Sequence, residues 1–226
     1  PPPVTDVGDT FFSQQVPVTP EQPGRRYLGV CAHGTRLKAA EIRLAEILLL
    51  AGQTLFDTYG APADPYMTLV GYFNATRELA GMRRYLDDDV TTRIRTHGRA
   101  RGLADRIITA TGMLTISELT SRISSADISD ALKRLEVGFD PELDTTQRRR
   151  AINDEMRRVF ANRTTSNPKL TAHPLVRRYL ERQDGDKAPV DAVLATSMLQ
   201  VGVDVSRFGL MLIVGQPKNT AEYIQA

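Results

Sequence analysis

Near the end of the chain two short apolar runs, residues 193–195 and 210–214, are almost uninterrupted by polar positions. That is the pattern of strands covered on both faces of a parallel sheet. Upstream, residues 26–32 predict a first strand, and His33-Gly34 ends it. Thr35 is placed to cap the helix that follows, with Leu37, Ala40, Leu44, Ile47, Leu48 and Ala51 on the core side and Arg36, Arg43 and Glu46 elsewhere. After the break at 60–65, residues 68–74 predict a second buried strand. A helix then carries Leu79, Met82, Leu86 and Val90 on one face. Residues 93–96 predict a further short strand, and 97–113, rich in glycine and arginine, a loop or a short insertion at a sheet edge.

The second half continues the alternation. Residues 117–123 lead into Ser124-Ser-Ala-Asp127, a capping-box-like start to a short helix lined by Ile128, Ala131, Leu132 and Leu135. Residues 144–163 predict a helix with Ile152, Met156, Val159 and Phe160 as its apolar stripe and Arg149, Arg150, Asp154 and Arg157 opposite. A shorter helix follows Pro174, and residues 182–189 connect to the strand at 193–195. Asn219, with Glu222 three positions on, predicts the cap of a last helix. Strand, turn and helix in repetition predict an α/β class with a mostly parallel central sheet.

The chain has 226 residues, enough for one substantial core. Six prolines fall within 1–24, which predicts an extended linker ahead of a domain spanning 25–226. The longest apolar runs, 47–51 and 210–214, are far too short to cross a bilayer, and 1–4 has no basic flank or apolar core; a cytoplasmic protein without membrane association is expected. The single cysteine, Cys31, excludes an internal disulfide and fits a reducing compartment; it is read as a core residue, not as a partner of His33. Net charge is only +2, but 24 of the 29 basic residues are arginine. Arginine's planar fork suits phosphate; a coding bias toward arginine gives the same count, so composition leaves the partner open.

Ala195-Thr196-Ser197, followed by Val201-Gly202-Val203-Asp204-Val205, resembles motif V of superfamily 2 helicases. Ala221-Glu222-Tyr223-Ile224-Gln225-Ala226 resembles the opening of their motif VI, and residues 69–79 resemble motif IV. The ordered set is similar to the second RecA-like domain of such motors. Together with Glu118-Leu-Thr-Ser-Arg122, the resemblance runs to the helicase subunit of bacterial DISARM anti-phage systems and covers roughly residues 26–226. It implies a three-layer RecA-like (P-loop NTPase-type) helicase C-terminal lobe, with a helical insertion at about 138–182, and motif VI continuing past Ala226.

The resemblance also implies roles. Thr196, with Ser197 beside it, would meet the backbone of a tracked strand, toward which Tyr72, Asn74 and Arg77 would also be delivered. Gly202 would let the loop approach the nucleotide, Asp204 would accept from its ribose hydroxyl, and Gln225 would open motif VI. ATP with Mg²⁺ would be held mainly by an N-terminal lobe of the same polypeptide, the usual source of the phosphate loop. This chain has no Gly-Lys pair, so no catalytic residue and no ATPase activity are expected of it alone. Its partners would be DNA, favoured over RNA, and a subunit of the defence system. Ser197 stands where an acidic residue is common, and Val201 where some families place arginine. Asp87-Asp88-Asp89 is read as a solvated helix end, Arg148-Arg149-Arg150 as a solvated helix face, and His33, His97 and His173 as isolated, so no metal site is expected. Two further readings remain open: a non-catalytic RecA-like scaffold that binds nucleic acid or protein, and a small-molecule enzyme with a closed pocket at the 202–204 loop.

Overall fold

The computed structural model describes residues 9–10, 13–14, 17–108, 112–120, 123–161, 173–183, 187–196, 205 and 207–215. Residues 1–34 and 35–226 form two compact units. In the first, β1 (Asp9–Thr10) and β2 (Ser13–Gln14) pair antiparallel. Residues 26–32, predicted as a strand, are neither strand nor helix. The side chains supply strand propensity but no ladder takes up the backbone groups, and a lone extended segment has no pairing energy. Cys31 is accordingly exposed rather than core. Its Sγ lies 3.3 Å from His33 Nε2, as residues two apart in extended chain share a side.

The second unit opens with α1 (Leu37–Tyr59). Its N-cap is Arg36 without a side-chain cap, so Thr35 lies one position too early to serve. The face turned inward is Ile42, Ala45, Glu46, Leu49, Leu50, Gln53 and Phe56, not the predicted one. Apolar residues surround most of this helix, so periodicity did not single out a side. Glu46 is fully buried because Arg101 Nη2 (3.0 Å) and His97 Nδ1 (3.1 Å) meet its carboxylate. Gly60 ends α1 at φ +67°, where a side chain would be strained, and its amide donates to Phe56 O at 2.9 Å.

β3 (Leu69–Phe73) is buried throughout and leads into α2 (Thr76–Tyr85), a π-turn at Leu86–Val90 and α3 (Thr91–Ile94). Leu79, Met82, Leu86 and Val90 are all buried, as the spacing predicts. The strand predicted at 93–96 is instead the end of this helical run, because Val90 and Ile94 sit one helical turn apart against the core. β4 (Ile116–Leu119) precedes α4 (Ser125–Leu135), whose cap is Ser124: its Oγ accepts from Asp127 N at 3.3 Å. Then follow α5 (Pro141–Asp144), α6 (Thr146–Ala161), α7 (Pro174–Gln183), β5 (Ala192–Ala195) and β6 (Leu210–Val214).

The four strands β3 to β6 form one sheet in the order β4-β5-β3-β6, all parallel. Side chains alternate across it, as strand geometry requires. Leu69, Phe73, Ala192 and Leu194 join α1 and α2 in one core, while Val193 and Ala195 join Leu119, Leu135 and Val205 on the opposite face. The result is the three-layer α/β arrangement of a RecA-like domain, with helices on both sides of the sheet. β6 departs from the predicted two-sided burial. Leu210, Met211, Leu212 and Ile213 are only half-buried, since β6 pairs with β3 alone among the described strands.

The helices α5 to α7 share a small core of Leu143, Ile152, Met156, Val176 and Tyr179. Arg149, expected on the solvated face, is buried. Asp144 accepts from it at 3.0 Å and from Arg182 at 2.7 Å. Burial alone would raise the Asp144 carboxyl; the guanidiniums of Arg149 and Arg182 and the Asp140 amide outweigh it and hold it below the usual range.

Candidate nucleic-acid interface

In open α/β sheets ligands gather outside the carboxyl ends of the strands. Here those ends are level. Ala195 of β5 stands between Tyr72 of β3 and Leu119 of β4, and Phe73 stands beside Val214 of β6. The residues that leave this edge are therefore Asn74, Thr120, Thr196 and Gly215.

Thr196 takes its place from β5. Its amide donates to Leu119 O at 3.3 Å, one step beyond the ladder, and the residue is only 8% exposed. Asn74 is half-buried beyond β3, and its Nδ2 would stand 3.2 Å from a Cβ placed on Gly215. Gly215 has φ +78°, so glycine both permits that bend and leaves room for the Asn74 amide. Arg77 is exposed on the first turn of α2, directly after the same edge.

Tyr72 requires a correction. Only 2% of it is exposed, and its neighbours in the sheet cover it on both sides, so the ring is core and cannot stack on a strand in this structure. Both Tyr72 and Phe73 lie inside the layers, a consequence of β3 being central rather than an edge strand. Of the nucleic-acid residues predicted from sequence, the fold thus gathers Asn74, Thr196 and Arg77 along one edge. Ser197, Gly202, Asp204 and Gln225 lie outside the described residues, as does the helix predicted at 219–226.

Other acidic candidates are occupied. Asp87 pairs with Arg83 at 3.0 Å, Asp88 with Arg84 at 3.7 Å and Asp89 with Lys38 at 3.9 Å. Among the described residues no three His, Cys, Asp or Glu side chains are grouped to hold a metal ion.

Sequence reasoning did not find the opposite, amino edge of the sheet, which is built from buried ion pairs. Arg106 donates to Asp191 at 2.7 Å, just before β5. Arg207, 6% exposed, donates Nε and Nη2 to the two oxygens of Asp64, each at 2.9 Å. The guanidiniums of Arg106, Arg149 and Arg207 all stand 5.4–5.8 Å from the centre of the Phe139 ring. Charged residues ahead of apolar runs are the signal here, for Asp191 immediately precedes β5 and Arg207 stands three positions before the first residue of β6.

No protein-family model matches the chain. Over an alignment of 229 positions that covers the whole chain, it is 34% identical to DISARM protein DrmA of Bacillus paralicheniformis. The chain is a DISARM-protein relative. It spans 16% of the length of that relative, so the kinship is to one domain-sized part of a much longer protein. Among the described residues no helix is long and apolar enough to cross a membrane.

Proposed function

We propose that this chain is the second RecA-like motor lobe of an ATP-dependent DNA helicase or translocase serving anti-phage defence. The observation that carries the reading is the level carboxyl edge, where the strand resembling motif IV and the strand resembling motif V are direct neighbours. Asn74, Arg77 and Thr196 then contact the phosphate backbone, which positions a strand without reading its sequence. The relationship to a DISARM protein supports the defence setting. ATP and Mg²⁺ are bound mainly by the first lobe of the same polypeptide. The groups offered from this side are Gly202, Asp204 and Gln225, and no chemical step is assigned to them. Association with another subunit of the defence system belongs to the same proposal.

ATP turnover of the full-length polypeptide, measured with and without single-stranded DNA, tests this. Stimulation by DNA is expected, with Asp204→Ala lowering turnover in both conditions. Turnover indifferent both to DNA and to Asp204→Ala overturns the motor assignment. The burial of Tyr72 and Thr196 favours a second reading, a RecA-like scaffold that binds nucleic acid or protein without turnover. It predicts DNA binding with no ATPase at all.

A further inference from the structure

The connection from β5 to β6 leaves the carboxyl edge at Thr196 and must come back to the amino edge, because the two strands run parallel. Its return is fixed by more than apolar packing. Arg207 grips Asp64 through two parallel bonds of 2.9 Å and donates Nη1 to Leu135 O at 3.1 Å. Asp64 also accepts from Phe139 N at 2.7 Å, so one carboxylate ties this return to the chain entering α5. Gly209 N donates to Pro65 O at 2.9 Å, and a Cβ on Gly209 would stand 2.9 Å from Pro65 Cβ. Val205 is buried against the face of Val193 and Ala195.

A fork-to-carboxylate pair is directional in a way that an apolar contact is not. It also adds little net stability when buried, since desolvation cancels much of the attraction. In some proteins such pairs are retained because they specify one register among several. We propose that Arg207 and Asp64 are positioning residues: their pair fixes where the β5–β6 connection re-enters the sheet ahead of β6 and so limits how far that connection can shift. The coupling consequence rests on the motor reading above; the positional one does not.

The test uses the full-length polypeptide with Arg207→Lys, which keeps the charge and loses the fork, and the apolar pair Arg207→Met with Asp64→Leu. Hydrogen exchange is read for 196–209 and, as reference, for β3 and β5. Exchange about tenfold faster in 196–209 is expected in the double variant, with the reference strands unchanged and Arg207→Lys intermediate. DNA-stimulated ATP turnover should fall about tenfold, and basal turnover should fall with it, because 196–209 also carries Gly202 and Asp204. Unchanged exchange in 196–209, or an equal rise across the reference strands, overturns the positioning role. Faster local exchange in a protein whose ATPase never responds to DNA leaves positioning standing and removes the motor reading instead.

Discussion

Arg106 and Asp191 are joined in the interior ahead of β5: Nη2 donates to Oδ1 at 2.7 Å, and the arginine is fully buried. The other Asp191 oxygen accepts from Thr115 N at 2.8 Å, while Arg106 also donates to Met67 O at 2.8 Å. One ion pair therefore aligns the starts of β3, β4 and β5. Burial pushes the Arg106 guanidinium below the ordinary arginine range and Arg149 adds to that, with Asp191 opposing both. Removing Asp191 leaves an uncompensated cation. Asp191→Asn is expected to cost about 3–5 kcal/mol in chemical denaturation. A loss no larger than that of an exposed carboxylate such as Asp130 would contradict this account.

Asp144 makes acid sensitivity predictable in sign. Its carboxyl is held below the usual value, so the fold gains stability from it above the unfolded carboxylate value, about 3.9. That gain is lost as pH falls from there through the depressed folded value. Denaturation midpoints of the wild-type chain should therefore drop between about pH 5 and pH 3 more steeply than those of Asp144→Asn. Parallel pH profiles for the two proteins would show that Arg149 and Arg182 do not depress it.

Two helical glycines should respond oppositely to alanine. At Gly52 a Cβ would stand 2.1 Å from Tyr66 O, a backbone atom that the 61–66 turn holds in place. The overlap outweighs the helix propensity gained, and Gly52→Ala is expected to destabilise by about 1–3 kcal/mol. At Gly81 the nearest atom is Tyr85 Oη at 3.9 Å, so Gly81→Ala should stabilise by up to about 1 kcal/mol. Thermal melts of the two variants moving in the same direction would refute the steric reading.

How far the sequence carried is clear from particular elements. β3 and β5 follow from short continuous apolar runs, and α4 and the buried face of α2 from helical periodicity with a sharp apolar–polar contrast. α1 lacks that contrast, and its inward Glu46 is explained by cations distant in sequence, Arg101 and His97, 55 and 51 positions away, with Arg93 beside them. Arg207 and Asp64 are 143 positions apart, and Arg106 and Asp191 are 85 apart. Pairings of that span leave no periodic trace. Residues 26–32 show the converse: strand-forming side chains make no strand without a partner ladder. At the carboxyl edge Thr196 and Asn74 were legible as strand ends, but the core position of Tyr72 depended on β3 being central, which only the strand order reveals.

The contact between Asn74 and Gly215 yields the most direct test of the carboxyl edge. A Cβ on Gly215 would stand 3.2 Å from Asn74 Nδ2, tight enough to displace the amide, and the φ of +78° adds backbone strain. Gly215→Ala should thus cost about 1 kcal/mol or more in stability. If Asn74 donates to a strand phosphate, losing that bond weakens DNA binding by about 1 kcal/mol, roughly a factor of five in Kd. Asn74→Ala and Gly215→Ala should weaken it similarly in the full-length polypeptide, and the double variant should add little, because both act through one amide. Additive losses would mean that the two residues meet DNA separately. Unaltered Kd in both would take Asn74 out of the interface.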